Sequence, residues 1–564
     1  MLESFSIGNF KAFGETQKIP IRPLTLIFGQ NSAGKSSIIH GLLLVRHALD
    51  TGELDVFHTN IGGRSVDLGG FRQYIHRRGL SSLMEWGADI GTSELDASAQ
   101  KWLEGASSVG VRITVGKEQR ERPARRRIVD PMTKEEKDIE VPSGVMEETG
   151  SAGVQTYEIT FKDHPVVRFR KKVGPSFQLN SLDLKHPIFT RLLRSLIEAS
   201  TTIQDVTPAD VAQAEIVVSS AVADITADRG TLFPVRIRKQ DSAGSPVQQT
   251  GLVAVRRGER EEDLAAAINL VLPRSLDEFT HGVNQGVGDA LRKLRYLGPL
   301  RSFPPRQLSM AQHYDPDWHA GGGFAWDVLQ SDSRVRHAVN DWLSDPEKLR
   351  TPYRLLVREY SEQEAIKRAL EEVYEGFSKE VTTFGTDAEF WQDADPKQMA
   401  AELLKSVSPD VLPQLEMTDI RFNTVVTHRD VGIGISQVIP VLVSAFGFQE
   451  QLIAIEQPEI HLHPALQAEL GDVFINSAMT KGNTFILETH SEHLILRILR
   501  RIRETTNGNL AKGAFPVRPE DVAVLYVQRG KGGAEVLEIP IRADGEFITD
   551  WPEGFFPERA EELF

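Results

Sequence analysis

Apolar positions along the chain fall into two patterns. Short continuous apolar runs lie near the two ends: Leu24-Thr25-Leu26-Ile27-Phe28, then Leu452-Ile453-Ala454-Ile455 and Thr484-Phe485-Ile486-Leu487. Runs of this length, bounded by polar residues, predict strands buried on both faces, as in a parallel sheet. Ser36 to Ala48 is apolar with one glycine, Gly41, and predicts a helix just after the first run. Between the ends the pattern changes to period two. Val109, Val111, Ile113 and Val115 alternate with small or polar residues, as do Tyr157, Ile159 and Phe161, which predicts half-buried antiparallel strands. Lys117 to Gly150 is charged and carries Pro123, Pro131 and Pro142, the composition of a long polar loop or hairpin tip. Residues 185–410 predict mostly helix with breaks, including Glu362 to Lys379, too short for a long coiled coil. From about residue 415 the α/β pattern returns, and Asp521 to Ile541 predicts a hairpin around Gly530-Lys531-Gly532-Gly533.

Composition narrows the classes. A chain of 564 residues has room for roughly two to four domains. The net charge of -15 argues against a general nucleic-acid coat. Two local basic clusters remain: Arg120, Arg122, Arg125, Arg126 and Arg127, and Arg168, Arg170, Lys171 and Lys172. They read first as solvated faces and second as contacts for nucleic acid or an acidic partner. The chain has no cysteine, which excludes disulfides, thiol catalysis and cysteine metal sites. No apolar run reaches the roughly 18 residues of a spanning helix, and Met1 to Phe5 lacks a leader pattern, so a soluble cytoplasmic protein without membrane contact is expected.

Four constellations carry chemistry. Gly29-Gln30-Asn31-Ser32-Ala33-Gly34-Lys35-Ser36 has P-loop spacing between a predicted strand and a predicted helix. Its glycines let backbone N–H groups face phosphate oxygens, Lys35 reaches the outer phosphates, and the Ser36 hydroxyl can ligate Mg²⁺. The run Leu452 to Ile455 ends in Glu456-Gln457-Pro458-Glu459, an apolar strand delivering carboxylates in the Walker B manner. The next run ends in Glu488-Thr489-His490-Ser491, where His490 can hydrogen-bond a γ-phosphate. Ahead of both, Asp430-Val431-Gly432-Ile433-Gly434-Ile435-Ser436-Gln437 precedes an apolar run and offers a second phosphate-facing helix start, or a plain turn and cap.

In this order the motifs resemble an ABC-type ATPase of the SMC-like branch. More closely, the chain resembles stand-alone ATPases related to the overcoming-lysogenisation-defect (OLD) family. The resemblance rests on Asn9-Phe10-Lys11-Ala12-Phe13, the P-loop, Asp67-Leu68-Gly69-Gly70-Phe71, Tyr296 to Arg301, Gly432 to Pro440, Ile455 to Pro464 and Glu488 to Arg497. The ending Asp550 to Phe556 resembles a small C-terminal domain of unknown function found in such ATPases.

The resemblance implies an α/β fold, an ABC-type P-loop NTPase head split by a long mixed β/helical insertion. Residues 1–80 would form the N-terminal lobe, 81–184 a β-rich and 185–414 a mainly helical part of the insertion. Residues 415–510 would form the C-terminal lobe and 511–564 a small β extension. ATP and Mg²⁺ are the implied cofactors. Gly29 to Ser37 with Gly432, Gly434, Ser436 and Gln437 would contact nucleotide, the last group on a partner copy. Ser36, Glu456 and, weakly, Gln73 would serve the metal, and Glu456, Gln457, Glu459 and His490 the hydrolysis. Gln457 stands where such proteins place a catalytic glutamate. A glutamine orients water but is no general base, so slow turnover is expected unless Glu459 supplies the carboxylate. Arg301 either approaches the nucleotide or sits in a surface turn.

The implied function is a sensor or scaffold that dimerises head to head, or assembles further, and controls a separately encoded effector such as a nuclease in anti-phage defence. No nuclease of its own is expected, because only a short stretch follows His490 and it has no cluster of metal-binding carboxylates. An SMC-like DNA-repair ATPase and a module holding ATP as a structural ligand are the other readings.

Overall fold

A computed structural model describes residues 2–79, 82–103, 105–129, 136–172, 176–183, 185–189, 208–239, 260–301, 316–361, 411–427, 430–549 and 551–552. Its centre is a six-stranded sheet in the order Leu294–Leu297, Leu452–Glu456, Thr484–Glu488, Leu24–Gly29, Val522–Arg529, Ala534–Glu538. The first five strands are parallel and only the last pair is antiparallel. Both faces are covered, which explains the continuous apolar runs. Ile27, Ala454, Ile486 and Leu525 join one core, while Leu26, Ile455, Phe485 and Val524 join another.

The first core is closed by the helix Lys35–Thr51 and a nine-stranded antiparallel sheet. That sheet runs Pro234–Lys239, Ile225–Arg229, Ser176–Leu182, His164–Lys171, Glu136–Phe161, Ser108–Val129, Met84–Gly91, Leu2–Gly8, Gln17–Pro20. The helix Arg260–Arg292 packs against it through Leu272, Leu276, Phe279 and Val283. The second core is closed by the helices Ile433–Phe446, Pro464–Lys481 and Glu492–Thr506. A three-stranded sheet, Tyr353–Ser361, Val411–Asp419 and Thr424–Val426, completes the described architecture. This is an α/β fold whose central parallel sheet draws strands from both ends of the chain. No described helix is long and apolar enough to cross a membrane.

The structure differs from the sequence expectation in three places. The polar stretch 117–150 is largely strand, in a long hairpin that pairs Pro123 with Pro142. Ile225–Arg229 and Pro234–Lys239 are edge strands of the large sheet inside a stretch read as mainly helical, because five- and six-residue strands leave little periodicity. The segment after residue 511, expected as a small β extension, supplies two strands of the central sheet. Val522–Arg529 lies directly beside the Leu24–Gly29 strand, with Val527 opposite Gly29. The expected helix Glu362 to Lys379 lies outside the described residues.

Candidate functional site

The site forms where the parallel strands end. Leu24–Gly29 is fully buried and delivers the loop Gly29 to Gly34, after which the helix begins at Lys35. Two glycines are required. Gly29 has φ 141°, and a Cβ there would come within 2.2 Å of the Val527 carbonyl oxygen; Gly34 has φ 109° and lies against Ala12. Only glycine accepts both demands. Gln30, Asn31 and Ser32 form the exposed crown of the loop, and Ala33 tucks beneath. No side chain caps the helix, so the N–H groups of Lys35 and Ser36 at its start have no side-chain acceptor and suit an anion. The Lys35 Nζ is buried and donates to the Gly29 and Gln30 carbonyls at 3.1 and 2.9 Å. Burial lowers its pKa, and Glu488 opposes that shift. Ser37 is buried behind the loop, its N–H donating to the Gly34 carbonyl at 3.0 Å.

Facing the loop are two carboxylates in register. Glu456 and Glu488 end adjacent strands and are paired residues. Their surroundings differ. The Glu456 Oε1 accepts from the Tyr296 hydroxyl at 2.9 Å and lies 3.5 Å from His40 Nε2. The Lys11 Nζ lies 2.7 Å from His40 Nδ1. An ammonium can only donate, so Nδ1 accepts and Nε2 carries the proton towards Glu456. Burial lowers the His40 pKa and brings Lys11 down to about 8, with Glu456 pulling the lysine back up. Glu488 instead hydrogen-bonds Ser36, and its Oε2 is buried with no hydrogen-bond partner. Its carboxyl is pushed up to about 7 by burial and by Glu456, against Ser36 and Lys35.

These groups suit Mg²⁺, which takes oxygens and keeps several waters and phosphate oxygens of its own. The Ser36 hydroxyl and the unpartnered Glu488 oxygen are the fitting pair. The described residues hold no cluster of three metal-ligating side chains that would bind a metal without the phosphates.

Glu459 is buried beneath His490. Its Oε1 accepts the His490 N–H at 2.7 Å, and burial raises its pKa. The His490 ring is half-buried; burial and Lys35 lower its pKa and favour the neutral form. Gln457 has a left-handed backbone, φ 47°, and its N–H donates to the Glu488 carbonyl at 2.7 Å. Arg301 is not in a surface turn. It is buried and donates to the carbonyls of Gln437, Glu456 and Gln457 at 3.3, 3.1 and 3.0 Å, while Gln437 Nε2 donates back to its carbonyl at 3.2 Å. One guanidinium thus ties the helix Ile433–Phe446 to the end of the strand Leu452–Glu456.

That helix begins at Gly432 without a side-chain cap. Gly432 and Ile433 are exposed, whereas Ser436 and Gln437 are buried one turn in. Gly434 packs so close to the His461 carbonyl that a Cβ would lie 2.6 Å from its oxygen. Gln73 is exposed on a four-residue helix, Phe71–Tyr74, beside Lys11 and Asp67 in a shallow concavity.

Sequence reasoning assigned no role to Glu488, Lys11, His40 or Tyr296. Lys11 and Tyr296 lay inside quoted motifs, and Glu488 lay two residues before His490. The basic residues are mostly engaged: Arg168 pairs with Glu158, Lys171 with Glu118, and Arg497 and Arg501 with Asp472. The side chains of Arg120 to Arg127 lie outside the described residues.

Residues 311–497 match a family model described as an AAA domain, putative AbiEii toxin, Type IV TA system. Residues 517–564 match a protein family of unknown function, DUF3696. No curated protein matches the chain. Among solved structures, the chain is similar to an SMC head bound to the C-winged helix domain of ScpA, with 9% identity, a TM-score of 0.34, and 96% of this chain and 98% of that chain covered. A Smc head bound to the C-terminal domain of ScpA, derived from Pyrococcus furiosus, gives 9%, 0.33, 96% and 96%. The SMC head domain from Thermotoga maritima gives 8%, 0.31, 96% and 99%. The AAA-domain match and the P-loop geometry together support an ATPase.

Proposed function

We propose that the chain binds ATP with Mg²⁺ and hydrolyses it slowly, as a switch that pairs head to head and controls a separately encoded effector. The observation that carries this reading is the convergence of Lys35 and Ser36 on the register pair Glu456 and Glu488. Lys35 and the helix N-terminus would hold the phosphates. Ser36 and Glu488 would hold Mg²⁺, which supplies charge neutralisation on the phosphate oxygens when bound. Glu456 is held at Oε1 by Tyr296 and His40 and would face the metal shell through its second oxygen. Gln457 orients water without taking its proton. Glu459 is engaged by the His490 N–H, which favours slow turnover. The exposed Gly432 and Ile433 at the start of the helix Ile433–Phe446 form the face that would meet a partner copy's nucleotide. Control of an effector in anti-phage defence follows from the OLD-like motifs.

Steady-state ATP hydrolysis of the purified chain, measured across protein concentrations beside Lys35→Ala, tests the reading. Slow turnover per chain that rises with concentration and vanishes in the variant is expected. Turnover independent of concentration would remove the head-to-head arrangement. Bound ATP that is never hydrolysed would favour ATP as a structural ligand.

A further inference from the structure

Away from the phosphate loop, a cavity of about 320 Å³ opens along the outer edge of the parallel sheet, beside the strand Leu294–Leu297. Its volume falls within the usual range for small-molecule sites. One wall is aromatic. His319 stacks on Phe324 with centroids 6.0 Å apart, and Phe324 packs on Phe448 at 5.7 Å. The Arg295 guanidinium lies over the Phe448 ring at 5.2 Å. The opposite wall is the helix Lys35–Thr51, which contributes Arg46. Arg46 pairs with Asp50 at one end, while its Nε is buried without a hydrogen-bond partner. An unsatisfied buried guanidinium N–H is costly and calls for an acceptor. Flat rings with Arg295 on one side and Arg46 on the other match a ligand with a planar ring and an anionic group.

Tyr296 lines the same cavity, and its hydroxyl donates to Glu456 at 2.9 Å. Arg46 and His40 stand on one helix, and His40 faces Glu456 from the other side. A ligand seated here therefore touches two elements that hold one carboxylate of the phosphate site.

We propose that this cavity is a second ligand site, for a small planar anion of mononucleotide size, linked to the nucleotide site through Tyr296. Only the linkage rests on the ATPase reading; the binding site stands without it.

The test is calorimetric titration of the full-length Lys35→Ala chain, in which the P-loop no longer competes. The probes are 1-naphthyl phosphate, the nucleoside 5′-monophosphates and inorganic phosphate. At least one planar anion is expected to bind saturably at one site per chain, with inorganic phosphate alone failing to do so. Arg295 is exposed, so Arg295→Gln keeps the fold, and it should weaken that binding about tenfold. Phe448→Leu, which keeps an apolar side chain, should do the same. The site is overturned if no planar anion binds below about 1 mM, or if neither variant changes the affinity. In the wild-type chain the bound probe should shift the affinity for a non-hydrolysable ATP analogue, and Tyr296→Phe should abolish that shift. Probe binding with unchanged analogue affinity overturns the linkage. Failure of ATP turnover alone touches neither result.

Discussion

Glu488 makes the sharpest test of how the site is built. Its carboxyl is buried beside Glu456 and raised from 4.5 to about 7. A carboxyl with a raised pKa in the folded state keeps its proton where the unfolded chain has already lost it. Stability therefore falls as pH rises through the window from 4.5 to about 7, and the full penalty applies above it. At about 1.4 kcal/mol per pH unit, the penalty at pH 8 is on the order of 3 kcal/mol. Glu488→Gln removes the charge and keeps the shape and a donor or acceptor for Ser36. The variant should match the wild type at pH 5 and exceed it at pH 8 by roughly 2–5 °C in unfolding temperature. The assay is thermal unfolding at both pH values, with chelator and without nucleotide. An equal difference at the two pH values, or a less stable variant at pH 8, would refute the buried-pair account. A stabilised variant that also loses ATP turnover would place the strain at the working site, as expected of groups held for chemistry.

Arg301→Ala should cost roughly 3–5 kcal/mol in denaturant unfolding, because it strips a buried cation from three carbonyls and leaves Glu459 without its countercharge. Gly34→Ala should fold but bind a fluorescent ATP analogue at least about tenfold more weakly, since a Cβ there lies 2.4 Å from Ala12 Cβ. Trp551→Ala should lower stability by about 3–5 kcal/mol, as Trp551 is buried against Phe28, Tyr526 and Phe547. If that loss is below about 1 kcal/mol, the C-terminal segment does not brace the P-loop strand.

Much of the candidate site was legible because its parts are local. A glycine loop between an apolar strand and a helix needs no partner to be recognised, and neither does an apolar strand ending in a glutamate. What stayed hidden depends on register between distant segments. Glu488 also ends an apolar strand, but it gains its character by standing opposite Glu456, and that register is not written in the local sequence. Lys11 reaches His40 from a tight turn in which Asn9 and Lys11 both have positive φ, a geometry that a short motif does not spell out. Arg301 looked ambiguous because its three acceptors are backbone carbonyls, and every residue has one of those. The long hairpin was obscured by prolines and charges that break the alternation.

The sheet order also sets a timetable for synthesis. The Leu24–Gly29 strand leaves the ribosome long before either of its neighbours, Thr484–Glu488 and Val522–Arg529. About 450 residues separate it from the first of them, which at 5–20 residues per second is roughly 25–90 s of translation. Throughout that interval the phosphate loop has no sheet to hold it and no carboxylate opposite it. A nascent chain that stops short of Thr484–Glu488 and Val522–Arg529 therefore carries the loop sequence without the strands that flank it.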